Sequence, residues 1–370
     1  MKKRWSLSVP LEGFSLAELG GIAREAEELG YTDAWSYEVD GVDGFTPLAA
    51  IATATTSMRL GIAIANVFTR GPATLASVAA GLADLAPGRF VLGIGAGSQP
   101  IVEAWNGGVF RKPATRVREM AQFLRAALAG ERVVFKGETF AVDGFRLTRV
   151  PAAPVPIYIA ALRPGMLRVA GEVGDGVIVN WNAAEDVPRL VEIVRAAARE
   201  VGRDPEAVEV TARLFVNLDP PGPESEQLIK RHIAAYLNVP VYRAYQEWLG
   251  RTPVLQPMWD RWAAGDRRGA VAAIPSTLVD TFFARGALPA IRAHVQRYLD
   301  HGIDTAFLQL QSNDPDPVRR RALVLEAIRG LAPAPTPSPG EGGKGEGGKG
   351  EGAKVRSAVI NSTQEIRHVR

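Results

Sequence analysis

Cysteine is absent from the 370-residue chain, and histidine occurs only four times. Without cysteine the chain forms no disulfide framework, cysteine-ligated zinc site, iron–sulfur cluster or thiol nucleophile. The histidines show no metal-ligand spacing, so we expect no bound metal. His294 and His301 lie seven residues apart near the end of a helix, which is typical of a surface or capping role. The H-E-x-x-H and G-x-S-x-G motifs of zinc proteases and serine hydrolases are also missing.

Long apolar runs and a strong net charge are missing as well. No stretch reaches the roughly 18 apolar residues of a membrane span. The basic start of the chain is followed too soon by Glu12 for a secretory leader, so we predict a cytoplasmic protein. The formal charge is +3, but residues 332–370 hold six basic and four acidic residues, so residues 1–331 carry about +1. Basic residues form no stripe with aromatic ones, so we expect neither nucleic acid nor membrane as a partner.

The composition divides the chain into a globular part and a tail. Hydrophobic residues make up 46% of the chain, which suits a large core. From residue 332 a proline-rich stretch leads into Gly-Glu-Gly-Gly-Lys repeats with almost nothing apolar to bury. Such a segment does not offset the entropy cost of ordering. We therefore predict one domain over 1–331 and a disordered tail over 332–370.

Strand-like and helix-like segments alternate along the globular part. Strands are predicted over 5–9, 33–37, 60–65, 90–94, 157–160, 176–179, 208–217 and 305–310. The main helices between and after them are predicted over 15–29, 47–56, 72–85, 115–129, 164–173, 186–201 and 317–331. Repeated β–α units imply parallel strands. Eight of them favour an α/β fold of the (β/α)8 TIM-barrel type, with an open doubly wound sheet as the alternative.

Two segments do not fit a simple β–α repeat. Residues 133–147 contain two turn signals and are predicted to form a hairpin. Residues 220–285 are too long for one crossover helix and are rich in tryptophan and tyrosine. We expect this second segment to be a helical insertion that caps the mouth of the barrel.

Barrel enzymes place their sites at the carboxyl ends of the strands. For strands two to eight these ends hold Glu38, 63–66, 95–98, 160–163, 180–182, Arg213 or Asn217, and Gln309 with Gln311. Small residues and amides dominate this set, and Glu38 is the one acid placed there. Paired carboxylates for glycoside chemistry are therefore not apparent. A mouth poor in acid–base groups indicates that an organic cofactor carries the chemistry.

The glycines at 93, 95 and 97 invite comparison with the dinucleotide fingerprint G-x-G-x-x-G. Ser98 stands where the third glycine is required, and residues 99–101 do not predict a helix, so a nicotinamide site is disfavoured. Either the bare backbone lets a flat or phosphorylated ligand approach closely, or it is a flexible loop after a strand. Spacing alone leaves both interpretations open.

Six ordered motifs carry a family resemblance. They are A-E-E-L-G-Y-T-D-A-W (26–35), L-G-I-A-I-A-N (60–66), R-G-P-A (70–73), P-G-R-F-V-L-G-I-G-A-G (87–97), P-I-Y-I-A-A (156–161) and A-G-E-V-G-D-G-V-I (170–178). On these motifs the chain resembles the bacterial-luciferase-like superfamily, and within it the oxidoreductases that use the deazaflavin coenzyme F420. The resemblance covers about residues 5–315. It implies a TIM barrel with a late insertion, and a homodimer.

The resemblance also implies where a deazaflavin or flavin lies across the strand ends. Ala63 and Ile64 match a bulge behind the ring, often with a non-proline cis peptide, and Glu38 matches an acid near the ring. Leu162 and Arg163 match the turn that meets the cofactor phosphate. The full set of implied cofactor-binding positions is Glu38, Ala63, Ile64, Asn66, Gly95, Ala96, Gly97, Ser98, Ala160, Ala161, Leu162, Arg163 and Asn180.

Two positions depart from relatives that oxidise sugar phosphates. Val39 stands where those relatives have a histidine, and Ser98 stands where the family has an acid. Both departures argue against a sugar-phosphate substrate, and they leave the proton-transfer group unassigned. We expect hydride transfer between coenzyme F420 and a small organic substrate. The alternatives are an FMN-dependent monooxygenase of the same fold and a non-catalytic protein that binds the deazaflavin.

Overall fold

A computed structural model describes residues 3–333 of the chain. The part of the predicted tail beyond residue 333 lies outside the described residues. The strands, numbered in chain order, are β1 (Arg4–Ser8), β2 (Asp33–Ser36), β3 (Arg59–Asn66), β4 (Phe90–Gly95), β5 (Val133–Lys136), β6 (Ala141–Phe145), β7 (Ile157–Ala160), β8 (Gly176–Val179), β9 (Glu209–Asn217), β10 (Phe283–Ala284) and β11 (Thr305–Gln311).

Eight of these strands close into a parallel barrel. The pairing runs β1, β2, β3, β4, β7, β8, β9 and β11, and β11 pairs back onto β1. The β8–β9 and β11–β1 pairings leave no free edge, so the TIM barrel is confirmed and the open sheet is wrong. Every residue of β4 and of β9 is buried, as expected for strands covered on both faces.

Helices surround the barrel. They are α1 (Leu16–Glu28), α2 (Thr46–Ala52), α3 (Pro72–Leu85), α4 (Pro113–Leu128), α5 (Pro164–Val173), α6 (Val187–Glu200), α7 (Pro223–Leu237), α8 (Pro240–Trp248), α9 (Thr252–Ala263), α10 (Arg267–Ala272), α11 (Ser276–Phe282), α12 (Leu288–Asp300) and α13 (Pro317–Gly330). Proline opens several of them, because its missing N–H has no partner in a first turn anyway.

One helix ends earlier than its sequence predicts. The expected helix over 47–56 stops at Ala52, in the observed α2. The guanidinium of Arg89 binds the Ala52 carbonyl at 3.1 Å and the Met58 carbonyl at 2.9 Å. A cation at the end of a helix satisfies carbonyls that have no partner within the helix, so Arg89 stabilises this early stop.

Five helices, α7 to α11, occupy the segment between β9 and β10. They bury their own apolar cluster, in which Ile233, Leu255 and Trp259 are almost wholly inaccessible. Trp181 and Phe215 of the barrel join this cluster. The insertion therefore packs on the ends of β8 and β9. The two-residue strand β10, which the sequence did not predict, then pairs with β9 in parallel.

The interior of the barrel is layered from its N-terminal end to its mouth. Arg59, Asp33 and Glu209 form a buried ionic layer, in which the Arg59 guanidinium donates to Glu209 at 2.7 and 2.8 Å. An aromatic layer containing Trp35 and Phe307, with ring centroids 5.6 Å apart, lies above it. The barrel is thus filled with side chains, and only its C-terminal end is free to bind a ligand.

Candidate active site

Small residues form the floor of the barrel mouth. Ala63, Ile64 and Ala160 are half-buried and pack on the aromatic layer. The peptide bond between Ala63 and Ile64 is cis, and the β3–β4 register shifts at this point. The expected bulge with a non-proline cis bond on strand three is therefore confirmed. Ala63, Ile64 and Ala160 thus give the mouth an apolar floor across β3 and β7.

The glycines after β4 keep the floor open. A Cβ atom at Gly95 would lie 3.0 Å from the Ala160 Cβ and 3.1 Å from Ile64 side-chain atoms. Gly97 has φ = +64°, and a Cβ atom there would lie 2.3 Å from the Asn66 Nδ2. Only glycine meets both demands without a shift of its neighbours. Ala96 and Ser98 are half-buried beside them.

A short helical turn, Ile101–Trp105, follows this loop. The expectation that residues 99–101 do not begin a helix is therefore wrong in detail. With residues 99 and 100 the helical segment spans 99–105, and β4 continues the closed barrel, so the geometry of a nicotinamide-binding βαβ unit is still not formed.

Asn66 lies behind the loops of the mouth. It is buried, and its Oδ1 accepts the backbone N–H of Phe68 at 2.9 Å. Its amide nitrogen lies next to Gly97. The Asn66 side chain positions the loop that follows β3. We therefore expect it to support cofactor binding through this loop and not by direct contact.

Glu38 is held in place by Arg70. The Arg70 Nε lies 3.0 and 3.1 Å from the two carboxylate oxygens, and the Gly44 N–H donates to Oε1 at 3.2 Å. Only 15% of the Glu38 side chain is exposed. The hydrogen bonds that Arg70 donates to Glu38 raise the pKa of Arg70. Glu38 is thus a fixed ion-pair partner at the rim.

The N-terminus of α5 lies at the end of β7. Arg163 is the N-cap residue, and its carbonyl accepts the N–H groups of Met166 and Leu167 at 3.0 Å. Its guanidinium is exposed and takes part in none of the ion pairs formed by residues 3–333. Half-buried Leu162 precedes it. A helix N-terminus with an adjacent cation is suited to a phosphate group.

Ala161 contributes differently from its neighbours. Its side chain is buried, and its N–H donates to the Ile178 carbonyl at 3.0 Å. Only the carbonyl of Ala161 is therefore available for a polar contact with a ligand.

The insertion is hydrogen-bonded to the end of β8. Asn180, the residue after β8, is half-buried, and burial raises the pKa of Tyr242 on α8. The next residue, Trp181, has φ = +55° and is buried, and its carbonyl accepts the Gln246 Nε2 at 2.6 Å. This hydrogen bond joins the insertion to the loop after β8.

A cleft of about 500 Å³ opens beside the ends of β1, β2 and β11. It is lined by Ser8, Pro10, Leu11, Glu12, Phe14, Ser15, Leu16, Tyr37, Val42, Gln309, Leu310 and Gln311. Glu12 keeps contact with solvent, but burial by its neighbours raises the pKa of its carboxyl, against opposing effects of the Ser312 backbone and Arg320. The sequence-based candidates omitted the end of strand one, where the position of Glu12, four residues after β1, is the signal that would have found it.

Arg213 and Gln309 meet inside the mouth. The Arg213 Nε donates to the Gln309 Oε1, and its guanidinium lies 4.4 Å from the centroid of the Tyr37 ring. The other candidate on β9, Asn217, instead donates to Asp219 at 3.2 Å. The candidate residues at the strand ends therefore do not all face the mouth, because Asn217 binds Asp219 in the following loop.

The histidines take three different places. His232 lies among aromatic rings of the mouth, where burial, helped by Arg213, lowers its pKa to about 4. The capping role is confirmed for His301, which ends α12 with its Nδ1 2.6 Å from the Arg297 carbonyl. His294 is half-buried against Tyr298, so a surface role for it is wrong. Within residues 3–333 no cluster of His, Asp or Glu has the geometry of a metal site. None of the helices there is long and apolar enough to cross a bilayer.

Several curated proteins and solved structures are similar to the chain, among them the following three. A 5,10-methylenetetrahydromethanopterin reductase of Methanolobus tindarius is 34% identical over 203 residues, which cover 55% of this chain and 62% of the reductase. An F420-dependent glucose-6-phosphate dehydrogenase of Kineococcus radiotolerans is 32% identical over 56% of this chain and 67% of that protein. The coenzyme F420-dependent tetrahydromethanopterin reductase of Methanopyrus kandleri has the same fold, with a TM-score of 0.72 at 21% identity over 88% of this chain and 98% of that one.

These similarities agree with the site. The chain spans 62% of the length of the curated reductase, so likeness to that protein extends over only part of it. The profile of one family, described as luciferase-like monooxygenase, matches residues 4–305, which is well over half of the chain. A closed barrel, a bulged third strand with a cis bond, and a late helical insertion accompany that match. The chain belongs to the luciferase-like monooxygenase family.

Proposed function

We propose that the chain is a deazaflavin-dependent oxidoreductase that binds coenzyme F420 across the mouth of the barrel. When bound, the cofactor would supply a carbon, C5 of the deazaflavin, that exchanges a hydride with a small organic substrate. The apolar floor of Ala63, Ile64, Gly95 and Ala160 is the observation that carries this proposal. An apolar floor without large side chains leaves room for a planar ring above it.

The residues around the floor suit the rest of such a cofactor. Arg163 and the N-terminus of α5 offer positive charge and a helix dipole to a phosphate. Ala96, Gly97 and Ser98 line one side, and Asn180 offers an amide on another. Glu38, held by Arg70, supplies a fixed negative charge at the rim. These are positions that the family resemblance implies for cofactor binding, and we propose that together they hold the cofactor.

We assign proton transfer to Glu12. Its carboxyl lines the cleft at the ends of β1, β2 and β11, and burial raises its pKa, so it keeps its proton to a higher pH than an ordinary glutamate. An acid whose pKa moves toward neutral pH is better suited to donate a proton near pH 7. Glu12 is our candidate for the acid–base group that the sequence-based candidates lacked.

A sugar phosphate is disfavoured as the substrate. Val39, the residue after Glu38, is an apolar side chain 39% exposed at the rim. Neither Val39 nor Ser98 supplies the histidine or the acid expected of relatives that oxidise sugar phosphates. We propose that the substrate is another small organic molecule, and that the chain works as a cytoplasmic homodimer without nucleic acid or membrane partners.

Cofactor binding tests the proposal against its alternatives. Purified protein is titrated with F420 and with FMN, and quenching of cofactor fluorescence is measured. We expect F420 to bind more tightly, because the open N-terminus of α5 leaves room for the tail that F420 carries beyond its phosphate. Tight FMN binding without F420 binding would favour the monooxygenase. F420 binding without turnover of any substrate by the reduced cofactor would favour a non-catalytic binder.

A matched pair of variants on α5 locates the phosphate. Arg163→Ala is expected to weaken F420 binding by roughly tenfold, since a charge-assisted contact is lost. Arg168→Ala, on the same helix, removes an exposed guanidinium that pairs with Glu200 and should leave binding unchanged. Equal affinities of the two variants would contradict the assignment of Arg163.

A further inference from the structure

We infer that the substrate is an organic acid with a flat, unsaturated body, and that Arg213 binds its carboxylate. This inference rests on the proposed function and assigns the substrate class of the same mouth. Arg213 would determine specificity, while the hydride and proton would be exchanged elsewhere on the substrate.

Arg213 is a buried cation without a protein anion. Only 9% of the residue is exposed, and it takes part in no ion pair within residues 3–333. Burying a charge is costly unless a partner of opposite charge and hydrogen bonds compensate for it. The contrast with Arg59 is direct, since that buried guanidinium binds both Asp33 and Glu209. The missing partner of Arg213 is supplied when an anionic ligand binds.

The free edge of Arg213 has the geometry of a carboxylate site. Its Nε is taken by the Gln309 Oε1, whereas neither of its terminal nitrogens hydrogen-bonds to any protein atom between residues 3 and 333. The Tyr37 ring lies 4.4 Å from the guanidinium carbon, and the Phe215 ring lies 5.3 Å from it. These contacts orient the planar group, and a guanidinium held in plane binds a carboxylate with two parallel hydrogen bonds.

Two further buried groups near Arg213 lack partners. Trp181 is 2% exposed, and its Nε1 has no hydrogen-bond partner; an indole N–H can only donate. The buried Nε2 of His232 also has none. Both rings pack on Phe215, which Arg213 contacts as well. A guanidinium and an indole N–H without acceptors call for a ligand rich in acceptor atoms.

The same neighbourhood connects to the proton donor. Tyr37 and Gln309, which contact Arg213, also form walls of the cleft that contains Glu12. The charged groups that act on Tyr37 are Arg213, Asp40 and Glu12. A ligand whose carboxylate meets Arg213 can therefore extend past the Tyr37 ring toward Glu12. The rings favour a flat body, because offset stacking with aromatic side chains stabilises planar groups.

The test uses benzoate and its neutral isostere benzamide as probes of the full-length chain. Dissociation constants are measured by thermal shift or calorimetry, with and without saturating F420. The wild type should bind benzoate roughly tenfold or more tightly than benzamide. Arg213→Gln should abolish this preference, and Arg213→Lys should restore part of it. Arg243→Gln removes an exposed guanidinium of α8 and should behave as the wild type.

A second variant covers the case in which Arg213→Gln does not fold. Gln309→Glu places a carboxylate beside Arg213, so it should raise the Tm and abolish the preference for benzoate. Equal binding of benzoate and benzamide by the wild type would overturn the inference, and so would an unchanged preference in Gln309→Glu. Failure of F420 to bind would refute the proposed function alone, because the probes also report on Arg213 without the cofactor.

Discussion

The ionic layer of Arg59, Asp33 and Glu209 lies in a part of the barrel that binds no ligand in our assignment. Burial by itself raises the pKa of Glu209, but the hydrogen bonds and charge of Arg59, helped by Thr305 and Tyr158, lower it to about 2. The unfolded value is near 4.5. The folded carboxylate is therefore favoured above pH 4.5, and its contribution to stability is lost as the pH falls from 4.5 toward 2.

Glu209→Gln tests this layer. The change leaves the Arg59 guanidinium with less compensation, and we expect a loss of about 3–5 kcal/mol in the free energy of unfolding at neutral pH. The difference from the wild type should shrink between pH 4.5 and 2. Denaturant unfolding across this range measures both. Glu200→Gln, at an exposed ion pair with Arg168, should cost less than about 1 kcal/mol. If Glu209→Gln lowered the free energy of unfolding by as little as Glu200→Gln, Glu209 would not stabilise the buried layer as we infer.

Glu12→Gln tests the assigned proton donor. The proton of Glu12 is retained to higher pH than in an ordinary glutamate, so proton donation should be efficient below the raised pKa and fall as the pH rises through it. We expect the variant to lose roughly 10²–10⁴-fold in hydride-transfer rate and to lose this pH limb. Stopped-flow absorbance of F420 with a substrate that is turned over measures the rate.

The control for this change is Glu28→Gln, at an exposed carboxylate on α1. It should keep both the rate and the pH profile. F420 affinity should be equal in the wild type and both variants, because Glu12 lies in the cleft and not on the floor. A full rate with Glu12→Gln would rule out the assignment.

Single side chains were the least predictable part of the site from sequence. Glu38 and Arg70 are 32 residues apart, and nothing in their spacing shows that they pair. Arg213 lies in the polar alternation Glu209, Thr211, Arg213, which an isolated strand would direct to water. Here all nine residues of β9 are buried, so the polar side faces the barrel interior. Such contacts form only when the barrel closes, and closure cannot be read from the residue pattern of a single strand.

At the scale of elements, two glycines of α5 differ in what surrounds them. A Cβ atom at Gly171 would lie 2.2 Å from the Val194 carbonyl of α6, whereas Gly165 has nothing within 4 Å. Of these two glycines, only Gly171 lies where α5 and α6 are in close contact.

Gly171→Ala should lower the free energy of unfolding by about 1–3 kcal/mol through overpacking. Gly165→Ala, in the same helix, should be neutral or stabilise the fold by up to about 1 kcal/mol. Chemical denaturation of the two variants checks both signs. Similar changes for the two would mean that α5 and α6 separate at little cost.

Elements were predicted well where a local period or a breaker residue marks them. The strands over 157–160 and 176–179 and the helices over 72–85 and 164–173 match the structure at both ends. The failures have tertiary causes. Arg89 ends α2 early from a distant position, and β10 forms because β9 continues past the residues that pair with β8, so that Phe215 and Val216 can pair with it. The hydrophobic pattern also did not predict the five separate helices of the insertion, because they bury an apolar cluster that they share with the barrel.

At the scale of the whole molecule, the charge is divided unevenly along the chain. The formal charge is +3 for the full chain, and two of these charges come from residues 332–370. The disorder of that segment stays a prediction. A chain that ends at Pro333 should keep the Tm and the F420 affinity of the full chain but bind more weakly to a cation-exchange column. A lower Tm would show that the tail packs on the barrel.

The ionic layer at the N-terminal end of the barrel also affects how the chain can fold while it is being synthesised. Arg59 leaves the ribosome 150 residues before Glu209 and 246 residues before Thr305, its two partners on β9 and β11. Until β9 has emerged, the guanidinium has only water, Asp33 and the Tyr158 hydroxyl as partners. The first half of this barrel therefore has no complete interior during translation, and a cell that makes the protein must protect an open sheet edge until the last strands arrive.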